Sequence, residues 1–148
     1  MRFISILLLF AALTTYGQVD HWETAVYEND SWKYLLPSSP VSSSWNQTGF
    51  NDSGWNTGPG GFGYGDGDDN TTVPGGTRSC YSRIEFNITD ISAIESAILH
   101  VDFDDGFVAY INGVEVSRDY MAAGTPAYND FATSEHEAQM YQGGVPDQ

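Results

Sequence analysis

The clearest pattern in the chain is a pair of segments rich in apolar residues, 107–111 and 114–118, that flank Asn112-Gly113. An Asn-Gly pair accepts the positive φ angles of a type I′ turn, whose twist matches that of paired strands. This stretch is therefore predicted to be a β-hairpin.

A further strand is predicted directly before the hairpin, because alternate positions from residue 97 to residue 103 are apolar. These positions are Ala97, Leu99, Val101 and Phe103. Asp104-Asp105-Gly106 then predicts a tight turn in which Gly106 takes the left-handed conformation. Residues 97–118 are thus expected to form three consecutive antiparallel strands.

Three other segments have the composition of strands, and they are residues 31–36, 81–88 and 128–133. In the second of them, Ile84, Phe86 and Ile88 are expected to face inward. From Gly58 to Gly76 the chain is dominated by Gly, Asp, Asn and Thr and predicts a long loop without helix. About six strands and no substantial helix indicate an all-β fold, an antiparallel β-sandwich.

The first 17 residues have the pattern of a cleaved secretory signal peptide. Arg2 supplies a positive start, an apolar run from Phe3 to Leu13 follows, and Thr15 and Gly17 are small residues before a cut at Gln18. The run is shorter than the roughly 20 residues that a membrane-spanning helix needs. The product is expected to be secreted or at the cell surface, with no membrane span in the mature protein. The mature chain is then expected to consist of an extended lead-in over residues 18–30 and a β-sandwich domain over residues 31–148.

The charge balance narrows the range of partners. The chain has 20 acidic and 5 basic residues, a formal net charge of −15. Nucleic acid is excluded as a partner, because phosphate binding requires a basic surface, and anionic lipid surfaces are disfavoured for the same reason. Carboxylate-rich loops suit calcium, which prefers oxygen ligands, but acidity also serves solubility alone.

Cys80 is the only cysteine, so no disulfide can form within the chain, and it is interpreted as a small, half-buried apolar residue.

An ordered set of motifs occurs over about residues 30–148: Trp32-Lys33-Tyr34, Trp45, Phe50-Asn51-Asp52-Ser53-Gly54-Trp55, Gly63-Tyr64-Gly65-Asp66-Gly67-Asp68, Tyr81-Ser82-Arg83-Ile84-Glu85-Phe86 and the block from Asp104 to Arg118. Together they resemble the galactose-binding-like jelly roll, a carbohydrate-binding-module-like domain near the N-terminus of secreted bacterial multidomain proteins. The resemblance implies neighbouring domains of the CotH-kinase or lamin-tail type in a longer chain. Such domains continue past a region like His136-Glu137-Ala138 into closing strands, so the sandwich is expected to be incomplete at its C-terminal side.

Candidate ligand-binding residues lie in loops and at strand ends. Trp55 and Tyr64 border the Gly-rich loop, where their rings could stack against the apolar face of a sugar. Asp104, Asp105 and Arg118 lie at strand ends and could bond the hydroxyl groups of such a ligand. Turn stabilisation and a surface ion pair explain these three almost as well.

A candidate metal site lies in the same Gly-rich loop. Asp66, Asp68 and Asn70 occupy the first, third and fifth positions of a loop, as in an EF-hand. Thr71 and Thr77 stand where that motif has its sharp-turn glycine and bidentate glutamate, so an EF-hand is rejected. A looser structural Ca²⁺ site is one interpretation, and a solvated acidic loop is the other.

Catalysis has little support, because the three histidines are scattered and no Gly-x-Ser-x-Gly elbow accompanies them. The first hypothesis is a non-catalytic accessory module of an exported protein that binds a polysaccharide or another glycan. One alternative is a structural or adhesive spacer with no small-molecule ligand. Another is the N-terminal accessory domain of a larger secreted enzyme.

Overall fold

A computed structural model of the chain describes residues 21–65, 67, 69–140 and 144–145. The predicted signal peptide, Asp66 and Asp68 lie outside these residues. Within the described part, the chain forms seven β-strands in three small sheets and one short 3-10 helix. The predicted all-β class is therefore confirmed.

The largest sheet has three antiparallel strands. β1 (Ser31–Leu35) lies in the middle, with β2 (Asn56–Pro59) on one side and β5 (Tyr81–Arg83) on the other. β1 confirms the strand predicted over residues 31–36. Lys33 lies opposite Thr57, and its ammonium group donates a 2.9 Å hydrogen bond to Thr57 Oγ1, a cross-strand pair that supports the register.

The Gly-rich segment contains a small parallel ladder that the sequence pattern did not indicate. β3 (Phe62–Gly63) pairs with β4 (Thr71–Thr72), and Val73, directly after β4, is only 6% exposed. The Phe62 ring lies 5.0 Å from the ring of Tyr34, measured between centroids. This ring contact attaches the ladder to β1.

The predicted hairpin is confirmed. It consists of β6 (Phe107–Ile111) and β7 (Val114–Asp119), joined by Asn112 and Gly113 with φ angles of 51° and 81°. These are the positive angles that a type I′ turn requires. The left-handed conformation predicted for Gly106 is wrong. A glycine is needed there for a different reason, because a Cβ atom would lie 3.1 Å from the carbonyl oxygen of Tyr120.

Three predicted strands are wrong in whole or in part. β5 ends at Arg83, and Phe86 and Ile88 are each 44% exposed instead of facing inward. Residues 97–100 and 128–133 form no strand, and Val101 makes only an isolated bridge. The alternating pattern is present in these segments, but a strand needs a partner for its backbone hydrogen bonds. Among the described residues, no neighbouring strand pairs with these segments, and every residue from 85 to 100 is exposed.

Arg83, the last residue of β5, holds the loop that follows β1. Its Nε atom lies 3.0 Å from Asp52 Oδ2, and its Nη1 atom donates to the carbonyl oxygens of Trp45 and Gln47. The guanidinium carbon lies 5.2 Å from the centroid of the Phe50 ring. The Arg83 side chain is only 9% exposed, so the contacts that join this loop to the central sheet are largely shielded from solvent.

We expect Arg83→Ala to lower the free energy of unfolding by about 3 kcal/mol, because it leaves the half-buried Asp52 carboxylate without its cation. Urea denaturation followed by tryptophan fluorescence measures the change. Arg78→Ala is the matched control, because Arg78 is exposed and makes a 3.3 Å hydrogen bond to a carbonyl oxygen and a cation–π contact with Phe131, a side chain that is itself exposed. Equal losses in the two variants would contradict the role given to Arg83.

Candidate functional site

Five aromatic side chains from separate parts of the chain form one group, called here the Trp45 cluster: Trp45, Phe50, Trp55, Tyr81 and Tyr110. The Trp45 ring is central, with its centroid 6.3 Å from Trp55, 4.8 Å from Tyr81 and 5.7 Å from Tyr110. Tyr81 belongs to β5 and Tyr110 to β6. The cluster therefore joins the central sheet to the hairpin.

Trp55, a predicted ligand-binding residue, lies in this cluster. Its ring is half-buried, stacks on Trp45 at an interplanar angle of 24°, and meets Phe50 edge-on at 5.8 Å. Two protein rings thus occupy much of the surface that a sugar would cover. The structure gives Trp55 a packing role, and its ligand-binding role stays a prediction.

The cluster brings two phenolic hydroxyl groups close to charged side chains. Burial raises the pKa of Tyr81, with smaller contributions from Tyr110 and Asp130. Burial also raises the pKa of Tyr110, and Glu115 adds to the effect. Both hydroxyls are therefore protonated at neutral pH and can donate as well as accept hydrogen bonds.

Arg118, another predicted ligand-binding residue, is bound to groups of its own hairpin. Its Nε and Nη2 atoms form a bidentate pair with Glu115, at 2.7 and 2.8 Å. It also donates to the carbonyl oxygens of Ala122 and Gly124. The hydrogen bond from Arg118 lowers the pKa of the Glu115 carboxyl. These contacts stabilise the turn after β7. Turn stabilisation and a surface ion pair are the alternative to ligand binding that the sequence left open for Arg118.

Asp104 and Asp105, the remaining predicted ligand-binding carboxylates, are exposed just before β6. Asp105 Oδ1 accepts a 3.0 Å hydrogen bond from the backbone N–H of His136. The His136 ring stacks on Phe103 at 4.1 Å and 9°, and its Nδ1 atom lies 2.9 Å from the Phe103 carbonyl oxygen. Asp105 thus anchors the segment that covers Phe103, one of the two buried apolar residues among those described.

Tyr64, the other predicted stacking residue, lies directly after β3 and is 47% exposed. A Cβ atom on Gly75 would lie 3.8 Å from its Cδ2 atom, so the ring lies near Gly75 with room for a methyl group between them. The predicted site residues therefore have separate surroundings. Trp55 lies in the Trp45 cluster, Tyr64 lies near Gly75, and the charged residues lie around the hairpin.

Only Asn70 of the predicted calcium ligands belongs to the described part of the chain, where it is exposed. Asp66 and Asp68 lie outside it. Among the described residues, no group of three or more His, Cys, Asp or Glu side chains could hold a metal ion.

Cys80 is exposed, not half-buried as predicted. Although the residue as a whole is exposed, neighbouring atoms desolvate its thiol and raise its pKa from 9.0 to about 11. Such a thiol is almost fully protonated at neutral pH and is a weak nucleophile.

The sequence reading missed an exposed aromatic side chain, Phe131, which is 71% exposed. It falls in the segment predicted as a strand over residues 128–133, where alternate side chains would have been half-buried. The guanidinium carbon of Arg78 lies 4.0 Å from the centroid of its ring. The two residues are far apart in sequence, so no local pattern signals the pair.

Comparison with known protein families, with curated proteins and with solved structures finds no match for this chain. Among the residues that the structure describes, no helix has the length and apolar character needed to cross a membrane.

We expect Trp55→Ala to lower the free energy of unfolding by about 3 kcal/mol, because it removes a ring that packs against two others. Urea denaturation and near-ultraviolet circular dichroism measure the effect. Trp22→Ala is the control, since Trp22 is 62% exposed and its removal should leave stability unchanged. A Trp55→Ala protein with wild-type stability would contradict the packing role.

Proposed function

We propose that this chain provides a galactose-binding-like jelly-roll module of an exported protein, non-catalytic, which binds a polysaccharide or another glycan. The all-β fold and the hairpin in the last of the motifs that carry the resemblance support the type of module. The binding proposal rests on one observation. Tyr64, an aromatic residue of the Gly-rich segment, is 47% exposed.

The surroundings of Tyr64 suit a sugar ring. An aromatic face matches the apolar C–H side of a pyranose, and polar groups nearby bind the hydroxyls. Gly65, Gly75 and Gly76 have no side chains that could cover the ring. Asn70 and Thr72, both exposed on the same segment, offer an amide and a hydroxyl group.

The charge of the chain restricts the kind of glycan. A formal net charge of −15 repels polyanions such as uronic-acid or sulfated polysaccharides. Neutral polysaccharides avoid this repulsion. We therefore propose a neutral glycan as the ligand.

We expect Tyr64→Ala to weaken glycan binding by about tenfold or more, because a methyl group cannot replace the stacked ring. Affinity gel electrophoresis against plant, algal and host polysaccharides finds the ligand, and calorimetry then measures the affinity. Tyr27→Ala is the matched control, because Tyr27 is 59% exposed in the lead-in and outside the Gly-rich segment. Equal affinities of the two variants would contradict the site.

A second candidate, the structural or adhesive spacer, is favoured by a different observation. Six large apolar side chains are between 44% and 80% exposed in the segment from residue 85 to residue 100: Phe86, Ile88, Ile91, Ile94, Ile98 and Leu99. A concentration of exposed apolar side chains in one segment is typical of a contact with another protein domain. A clean negative in the polysaccharide screen, obtained with folded protein, would favour the spacer.

We further propose a structural Ca²⁺ ion in the Gly-rich segment, held by oxygens of Asp66, Asp68 and Asn70. Added Ca²⁺ should then raise the melting temperature and chelator should lower it, since a ligand that binds only the native state stabilises that state. Differential scanning calorimetry measures the shift, and Asp66→Asn combined with Asp68→Asn should remove it. Identical melting curves with Ca²⁺ and with chelator would refute the metal site.

A further inference from the structure

Phe131 follows a turn that is closed by hydrogen bonds at both ends. The backbone N–H of Asp130 donates to the carbonyl oxygen of Ala127 at 3.1 Å, and the N–H of Ala127 donates to Asp130 Oδ2 at 2.8 Å. Reciprocal bonds of this type limit the motion of a short loop. The residue that follows them, Phe131, is 71% exposed.

The same turn is bound to the segment before β5. Ser79 Oγ donates to the carbonyl oxygen of Tyr128 at 2.6 Å, and Arg78 Nη1 donates to that of Asn129 at 3.3 Å. Arg78 also lies 4.0 Å above the ring of Phe131, a cation–π distance. The ring is thus held in place before any ligand arrives, which lowers the entropic cost of binding to it.

Residues 75–78 link the surroundings of Tyr64 to those of the Phe131 ring. The Tyr64 ring lies near Gly75, and Arg78, which contacts Phe131, is three residues further along the chain. At 3.8 Å per residue, the Cα atoms of Gly75 and Arg78 are at most about 11 Å apart. Thr77 shortens the path, because its N–H and its hydroxyl both bond the carbonyl oxygen of Pro74, at 3.1 and 2.6 Å.

We propose that Phe131 and Arg78 form a second sugar-binding subsite, and that the ligand is a polysaccharide chain long enough to contact both Phe131 and Tyr64. This inference rests on the proposed function. The free surface of the Phe131 ring receives the apolar side of a sugar unit, and the Arg78 guanidinium and Asp130 carboxylate beside it bond hydroxyl groups. Two subsites on one chain bind a long ligand more tightly than either alone, because the second contact is intramolecular.

The test compares two lengths of one ligand. A hexasaccharide and a disaccharide are prepared from the neutral polysaccharide that the wild-type protein retains in the gel screen, and calorimetry measures both affinities. Phe131→Ala should weaken hexasaccharide binding about tenfold, the loss expected for one stacked ring, and change disaccharide binding by less than about twofold. Tyr64→Ala should weaken the binding of both.

Two further variants separate binding from folding. Phe131→Tyr keeps the ring and should restore hexasaccharide affinity, whereas Ile91→Ala, at a site that is 80% exposed, should have no effect. Near-ultraviolet circular dichroism checks that each variant is folded. Wild-type hexasaccharide affinity in Phe131→Ala, with binding lost in Tyr64→Ala, would overturn the second subsite and leave the proposed function standing. Failure of the folded wild-type protein to retain any polysaccharide would overturn both.

Discussion

The packing of Trp45 between β5 and β6 is the interaction on which the arrangement of the sheets depends. Its ring contacts Tyr81 of the central sheet and Tyr110 of the hairpin, and no other aromatic contact among the described residues links these two elements. Val73 and Phe103 are the only apolar side chains buried in the described part. A ring that bridges two sheets therefore contributes much of the cohesion that a larger core would supply.

Side-chain hydrogen bonds to the backbone supply further cohesion, and aspartates make many of them. The Asp102 carboxylate accepts from the N–H groups of Gln139 and Met140, at 2.9 and 3.0 Å, while Asp105 accepts from His136. Charged acceptors form stronger hydrogen bonds than neutral ones. The acidity of the chain thus has a structural use besides solubility, because these carboxylates attach the segment over residues 136–140 to the segment that precedes β6.

Two kinds of exposed apolar surface differ in what they are suited to bind. The segment from residue 85 to residue 100 exposes six large apolar side chains, five of them aliphatic, which fits another protein surface. Tyr64 and Phe131 are single rings beside tight turns, surrounded by glycine, amide, hydroxyl and charged groups, which fits a small polar ring. The proposed carbohydrate site and the alternative docking surface therefore involve different parts of the chain.

The sequence by itself determined the elements that depend on neighbouring residues: the strand before Pro37, the Asn112-Gly113 hairpin and, over residues 21–140 as far as the structure describes them, the lack of long helices. Their backbone φ angles are set within a few positions, so the local pattern suffices to locate these elements. The tertiary structure alone decided that Trp55 packs while Tyr64 stays exposed, and that the alternating residues before the hairpin form no strand. It alone brought Arg78 to the turn at Asn129, 51 positions away. Contacts of this kind depend on which distant segments meet when the chain folds, and an alternating pattern shows that a face needs covering without showing what covers it.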